Sequence, residues 1–142
     1  TAAAMLAGGL IGWDREALSK PAGIRTHMLV AGGAALFTAA SLLILQEGTL
    51  AGGRGDLVLI PSAIVPGVGF LGAGAIIRSG ERVTGLTTAA GIWVTAALGV
   101  LFGSGFWIIG IGGTVLVLLT VNTASWASAR ATAGPTPPDG DG

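Results

Sequence analysis

Long stretches without a charged side chain constrain this chain more than any other feature of its sequence. Residues 1–13, 26–46, 57–77 and 83–129 contain no Asp, Glu, Lys or Arg. The second and third runs are 21 residues each, close to the roughly 20 apolar residues that a helix needs to cross a bilayer. The fourth run is long enough for two such helices, and its Gly103-Ser104-Gly105 segment is a typical break between helices.

These runs predict an all-α, polytopic membrane protein with a bundle of about five transmembrane helices. The predicted domain covers residues 1–126, with spans near 1–18, 26–46, 57–77, 85–102 and 106–124. The first helix is expected to be truncated, because 13 uncharged residues cover only about 20 Å of a ~30 Å hydrocarbon core. Residues 127–142 contain three prolines and are predicted to form a disordered tail.

Composition supports this class of protein and argues against others. Hydrophobic residues make up 51% of the chain and charged residues 10%, whereas soluble domains average about 25% charged residues. The net charge of zero and the lack of a basic stripe give no indication of nucleic-acid binding. There is no Cys and a single His, so no nucleophile with a paired base is available, and the chain is not expected to be an enzyme.

The distribution of Lys and Arg predicts the orientation of the bundle, because cytoplasmic loops are enriched in these residues. Arg54 is the one basic residue expected on the opposite side. Six lie on the side predicted to be cytoplasmic: Arg15, Lys20, Arg25, Arg78, Arg82 and Arg130. The N-terminus is therefore expected outside and the C-terminus, with its tail, in the cytoplasm.

The third span combines helix-breaking and small residues. It holds Pro61 and Pro66, followed by Gly67, Gly69, Gly72 and Gly74. Four glycines in a water-exposed helix would cost about 3–4 kcal/mol. Two interpretations remain open: close packing against another helix, or a helix kinked or broken at Pro61/Pro66 whose exposed carbonyls bind an ion or substrate. The pairs Gly8/Gly12 and Gly99/Gly103 are also spaced for helix contacts, and Asp56 is expected to cap the third span.

Gly67-Val-Gly69-Phe-Leu-Gly72 also matches the pattern of a dinucleotide-binding loop. That loop needs a preceding strand and an acidic residue about 20 positions further on. Here the motif lies inside an apolar run and position 92 is Ile. Nucleotide binding is therefore not expected.

The densest polar cluster lies between the first two spans. Its members are Asp14, Arg15, Glu16, Lys20, Arg25, Thr26 and His27. Four interpretations are open: a solvated loop; an acid at membrane depth with a function; a network of Arg, Asp and Glu salt bridges that joins the loop of residues 14–25 to the loop of residues 78–82; or a Mg²⁺ site with Asp14 and Glu16, or Glu81 nearby, as candidate ligands. His27 is expected to be an interfacial hydrogen-bonding residue, and Thr38, Ser62, Thr87, Thr88 and Thr95 to bond backbone carbonyls.

Four sequence blocks resemble the MgtC/SapB family. They are Gly9-Leu-Ile-Gly-Trp-Asp-Arg-Glu16, Lys20-Pro-Ala-Gly-Ile-Arg-Thr-His-Met-Leu-Val30, Gly67-Val-Gly-Phe-Leu-Gly-Ala-Gly74 and Gly85-Leu-Thr-Thr-Ala-Ala90 with Trp93. The resemblance implies a five-span bacterial inner-membrane protein linked to growth at low magnesium and, in pathogens, to virulence. It also implies ATP synthase as a candidate partner.

The resemblance assigns the family's motif positions to particular residues. They are Asp14, Arg15, Glu16, Lys20, Arg25, Thr26, His27, Asp56, Gly67, Gly69, Gly72, Gly74, Arg78, Gly85, Thr87 and Thr88. The family often has Glu where this chain has Asp14. It usually has polar residues where this chain has Leu59, Ala63 and Pro66, so an activity that depends on them is altered or lost here.

Two functional hypotheses follow from the residues and the resemblance together. The first is a non-enzymatic membrane protein associated with magnesium homeostasis, which acts through contacts with itself or with another membrane protein. The second is a small ion or solute transporter, with a pathway at the third helix and the Asp14/Glu16 cluster. Mg²⁺ is a possible ligand under either hypothesis.

Overall fold

The computed structural model describes residues 1–50 and 59–132, with side chains placed for 1–48 and 59–123. It contains five helices: α1 (Ala2–Ala17), α2 (Ile24–Leu50), α3 (Leu59–Gly74), α4 (Leu86–Gly103) and α5 (Trp107–Thr132). The prediction of an all-α bundle is confirmed. By length and composition, two segments could cross a membrane, Ile24–Gly48 and Leu86–Gly103; α3 and Trp107–Thr123 are shorter apolar helices.

Helices α1, α2 and α4 form the core because glycines let their backbones approach closely. A Cβ at Gly8 would overlap the His27 carbonyl of α2, and one at Gly12 would lie 2.6 Å from Ile24 Cα. On the other side, a Cβ at Gly99 would overlap the Ala31 carbonyl. One at Gly103 would lie 2.7 Å from the Ala35 oxygen. The contacts predicted for the pairs Gly8/Gly12 and Gly99/Gly103 are thus confirmed, and α2 is the shared partner.

Apolar side chains fill the space between these close contacts. One buried cluster joins α1, α2 and α4 and comprises Ala4, Ala7, Ile11, Ala31, Ala35, Leu98 and Phe102. A second brings α3 to the core through Val68, which packs with Ala22, Ala34, Ile92 and Ala96. The predicted break in the fourth run is confirmed, since α4 ends at Gly103 and α5 begins at Trp107. The Phe102 and Trp107 rings meet edge to face, with centroids 5.9 Å apart.

Helix α3 differs from the prediction in its continuity. It is helical through Pro61 and Pro66 without interruption, so a break there is wrong, while a kink at these prolines stays a prediction. A Cβ at Gly67, Gly69 or Gly74 would meet nothing within 4 Å, so these three glycines make no close contact within the described residues, and their packing against another helix stays a prediction. Gly72 does pack, 3.5 Å from the Ala89 oxygen.

The connection between α3 and α4 is a small β-hairpin. Strands β1 (Ile77–Ser79) and β2 (Arg82–Thr84) pair antiparallel, with Arg78 opposite Val83. Gly80 has φ +61° at the turn, and Gly85 has φ +89° where the chain enters α4. The structure also corrects the predicted tail, because α5 extends to Thr132; residues 127–132 are helical.

Candidate functional site

One face of α1 carries a charged residue into the bundle. Four buried residues are spaced to lie on one side of this helix: Ala4, Gly8, Ile11 and Arg15. Arg15 is 5% exposed, and its Nε and Nη1 have no hydrogen-bond partner. Within the described part of the chain Arg15 forms no ion pair, and the buried Oδ2 of Asp14 also lacks a partner. The predicted salt-bridge network is therefore not formed by these residues.

His27 lies in the first turns of α2 and is fully buried; its position at the membrane interface stays a prediction. Its Nδ1 is 2.9 Å from the Gly23 carbonyl oxygen. Because a carbonyl can only accept, Nδ1 carries the proton, and Nε2 of a neutral ring is then an acceptor. Nε2 has no partner and faces α4, where a Cβ at Gly91 would be 3.4 Å away.

Helix α4 also carries a buried hydroxyl. Thr95 is fully buried and its Oγ1 has no partner, so the predicted bond to a backbone carbonyl is wrong here. That prediction is confirmed for Thr38, which donates to the Ala34 oxygen at 2.8 Å, and for Ser62, which donates to the Leu59 oxygen at 2.8 Å. We call Arg15, His27 and Thr95 the buried polar cluster.

Glu16 has a local structural role at the edge of this cluster. The backbone N–H of Ile24 donates to Glu16 Oε2 at 2.9 Å, so the carboxylate caps the first turn of α2. A negative charge is favourable at a helix N-terminus, where backbone N–H groups are free and the dipole is positive. Lys20, Arg25 and Thr26 follow the same connection and are exposed, as expected for its solvated part.

The residues near Asp14 and Glu16 do not fit a resident Mg²⁺ ion. Within the described residues, no group of three or more His, Asp or Glu side chains is placed to hold a metal. Glu16 Oε2 is occupied by the Ile24 N–H. Arg15, the residue between the two acids, is a buried cation without a counter-charge, which disfavours a second cation nearby.

The remaining predicted site residues lie in the hairpin, at the start of α4 and on α3. Arg78 is exposed in the hairpin, where its Nε donates to the Gly80 oxygen at 3.2 Å. Thr87 is exposed and Thr88 is buried in the first turn of α4. Gly85 precedes α4 in a left-handed conformation, with no side-chain cap on the helix. Pro66 and the glycines of α3 are on a separate helix, and Asp56 lies outside the described residues.

A groove of about 750 Å³ separates α2 from α3. Its walls are apolar apart from Ser41, and small residues face it from both helices: Gly33 and Ala34 on α2, Ala63 and Gly67 on α3. A Cβ at Gly33 or Gly67 would meet nothing within 4 Å. We call this feature the α2/α3 groove; the sequence signalled Gly67 but not Gly33.

Sequence reasoning also missed Gly91 as a neighbour of His27. One signal was available for Arg15, because the small and apolar residues at positions 4, 8 and 11 continue at helical spacing to position 15. Nothing in the sequence pairs His27 with Gly91. Only the packing of α2 against α4 places them together.

The helices, the composition and the surface together define a helical membrane protein. Large apolar side chains cover its outside, with Ile108 88% exposed, Phe70 81% and Ile44 70%, which suits a lipid solvent. The model of the MgtC family matches residues 2–130. The chain belongs to this family, as the sequence blocks indicated.

Three relatives illustrate the family. Protein SrpB of Synechococcus elongatus is 45% identical over 127 residues, covering 84% of this chain and 69% of its own length. The putative magnesium transporter YhiD of Escherichia coli is 44% identical over 124 residues, covering 83% and 55%. Protein MgtC of Salmonella typhimurium is 44% identical over 116 residues, covering 82% and 47%. The chain thus spans about half the length of the last two. No solved structure matches it significantly.

Proposed function

We propose that this chain is a non-enzymatic protein of the bacterial inner membrane, which supports adaptation to low magnesium by binding other transmembrane helices. The observation that carries this proposal is the α2/α3 groove. It is open, apolar and lined by small residues on both walls. In lipid, helices associate through close van der Waals packing, and small residues allow that packing.

The link to magnesium rests on the family. One relative is named a putative magnesium transporter and another carries the family's own name. The partner in the groove is a helix of a second copy or of another membrane protein; ATP synthase is the candidate that the sequence resemblance suggests. The proposed orientation places the N-terminus outside and the C-terminus in the cytoplasm, as the Lys and Arg distribution favours.

The test uses two variants that fill the groove, Gly67→Leu and Gly33→Leu. Both should fold, because a side chain at either position enters open space. Each should weaken association by about tenfold, since overpacking a close interface costs about 1–3 kcal/mol. Two measurements test this. One is the co-purification of partner proteins from native membranes, and the other is the growth at low magnesium of a deletion strain that expresses each variant.

The matched control is Gly112→Leu on α5, where a Cβ also meets nothing within 4 Å but which does not line the groove. Loss of co-purification and of growth in the groove variants, with the control unchanged, supports the proposal. Normal growth and co-purification in both groove variants, at wild-type protein levels, would refute it.

Transport is the second candidate, favoured by the name of the YhiD relative. Its expected pathway at the third helix and the Asp14/Glu16 cluster has little support, because α3 is continuous and Glu16 caps α2. Cation flux into proteoliposomes discriminates between the two. Flux that Asp14→Ala abolishes while the protein stays folded would favour transport, and no flux of any cation would eliminate it.

A further inference from the structure

The α2/α3 groove opens onto the apolar outer surface of the bundle. Leu29 and Phe37 on α2 and Leu59 on α3 line it and are exposed. Its volume of about 750 Å³ is in the range of ligand pockets, about 300–1,000 Å³. In a bilayer such a space is filled by hydrocarbon, because its walls offer almost nothing to which water can hydrogen-bond. When no partner helix occupies the groove, its occupant is therefore an acyl chain.

The groove is about as long as one leaflet of a bilayer is deep. Along α3 it extends from Leu59 to Leu71, which is about 18 Å at 1.5 Å per residue. The hydrocarbon core of a bilayer is ~30 Å thick, so one leaflet contributes about 15 Å. An extended acyl chain can thus lie along the groove while its headgroup stays at the membrane surface.

The walls of the groove do not distinguish one lipid from another. Ser41 is the one polar residue among the described residues that line it, and lipid tails are as apolar as leucine side chains. Moving an acyl chain from the bilayer into the groove therefore gains little from burial. A preference among lipids has to come from charges at the end of the groove, where the headgroup lies.

One end of the groove is basic. Arg25 precedes Leu29 by four residues and Gly33 by eight, so it lies on the groove face of α2, one turn before the wall begins. Helical side chains lean toward the N-terminus, which carries the guanidinium toward the membrane surface and away from the apolar walls. Arg25 is exposed, and its side chain has no hydrogen-bond or ion-pair partner among the described residues.

The hairpin adds positive charge at the same end of the bundle. Ala75, which follows α3, packs in the same apolar cluster as Ala22 and Val30, at the start of α2. Helix α3 therefore ends where α2 begins, and the hairpin lies at that end. Arg78 and Arg82 are exposed on this hairpin and raise the local positive potential.

The described acids leave this charge unpaired. Glu16, the acid nearest to Arg25 in sequence, accepts the Ile24 N–H at Oε2 and forms no ion pair with Arg25. Beyond the opposite end of the groove, Glu47 is exposed two residues after Leu45. Among the described residues, the groove is thus flanked by basic side chains at one end and by an acid at the other. This asymmetry orients a negative headgroup toward Arg25.

We propose that the α2/α3 groove is a lipid site, which holds an acyl chain of an anionic phospholipid with the headgroup phosphate at Arg25. A guanidinium suits phosphate because its fork of N–H donors matches the phosphate oxygens. The lipid and a partner helix compete for the same groove, so anionic lipid regulates the association with partner helices. This regulation rests on the proposed function, whereas the lipid site itself does not.

The test reconstitutes the full chain in nanodiscs with equal amounts of phosphatidylglycerol and phosphatidylcholine. Native mass spectrometry then identifies the lipid that the released protein retains. We expect phosphatidylglycerol to be favoured by at least about fivefold, and Arg25→Gln to reduce this preference by about fivefold. The matched control is Lys20→Gln, which removes a charge from the exposed connection before α2 and should change the preference by less than about twofold.

A second pair of variants locates the acyl chain. Gly33→Leu fills the groove and should abolish retention of both lipids. Gly112→Leu adds the same side chain outside the groove and should leave retention unchanged. Both variants should fold, because a Cβ at either position meets nothing within 4 Å.

Several results would overturn the inference. One is equal retention of the two lipids, or of neither, by the unmodified chain. Another is an equal loss of preference in Arg25→Gln and Lys20→Gln, which would show attraction by general surface charge. A third is unchanged retention in folded Gly33→Leu. A dimer that retains no lipid and that Gly33→Leu dissociates would show that a second copy fills the groove.

The outcome is separable from that of the proposed function. Lipid retention is measured on the chain without a partner protein, whereas the proposed function is measured by co-purification and growth. Loss of co-purification in the groove variants without any lipid preference would refute the lipid site alone. A lipid preference that depends on Arg25, with normal co-purification and growth in the groove variants, would refute the proposed function alone.

Discussion

Glycine has opposite structural roles in the α1/α2/α4 core and in helix α3. In the core, Gly8, Gly12, Gly99 and Gly103 contact backbone atoms of α2 so closely that a methyl group would not fit. On α3, Gly67, Gly69 and Gly74 face open space. The glycine-rich motif that dominates the sequence therefore contributes least to packing within the chain. A high density of glycines does not by itself identify a helix interface. Whether a glycine packs closely depends on which element lies next to it.

The largest effect on stability is expected from a substitution at Gly85, where α3 connects to the core. Gly85→Ala combines a left-handed conformation, which costs an L-residue about 1–2 kcal/mol, with overlap against the Ala75 carbonyl, which adds about 1–3 kcal/mol. We expect a loss of about 2–5 kcal/mol in unfolding free energy, measured by SDS titration of the detergent-solubilised protein with circular dichroism.

Its matched control is Gly80→Ala. Gly80 is also left-handed, but a Cβ there would meet nothing within 4 Å. The control should lose only the strain contribution of about 1–2 kcal/mol. Equal losses in the two variants would show that the contact with Ala75 does not hold the start of α4.

The direct test of the comparison exchanges one glycine from each region for alanine. Gly99→Ala should lose about 1–3 kcal/mol, because the methyl overlaps the Ala31 carbonyl in the packed core. Gly67→Ala should gain up to about 1 kcal/mol, because alanine favours the helix and the space is free. In the same SDS titration, we expect the unfolding free energy to change in opposite directions for the two variants. A loss of similar size in both would contradict the distinction between the regions.

The smallest expected effect concerns the cap of α2. Glu16→Ala removes the acceptor of the Ile24 N–H and should cost about 1 kcal/mol, as other cap deletions do. Glu81→Ala makes the same charge change in the exposed hairpin and should stay within about 0.5 kcal/mol. Thermal unfolding of both variants measures the difference. A change of the same size in each would mean that Glu16 acts through charge alone.

The sequence by itself determined the class of protein, the family and most of the helix boundaries. Uncharged runs of about 20 residues have few solutions other than helices in lipid, and Gly103-Ser104-Gly105 ends α4 as expected. The spacing of Gly8/Gly12 and Gly99/Gly103 also predicted contacts correctly, because glycines four apart lie on one face of a helix.

Only the tertiary structure decided which polar groups meet and which glycines pack. Asp14, Arg15 and Glu16 are consecutive, yet Arg15 enters the bundle while Glu16 caps α2, because successive residues on a helix point in different directions. His27 and Gly91 are brought together by the packing of α2 against α4. A one-dimensional pattern records which residue types a helix carries, but the neighbour of each face depends on how the helices assemble.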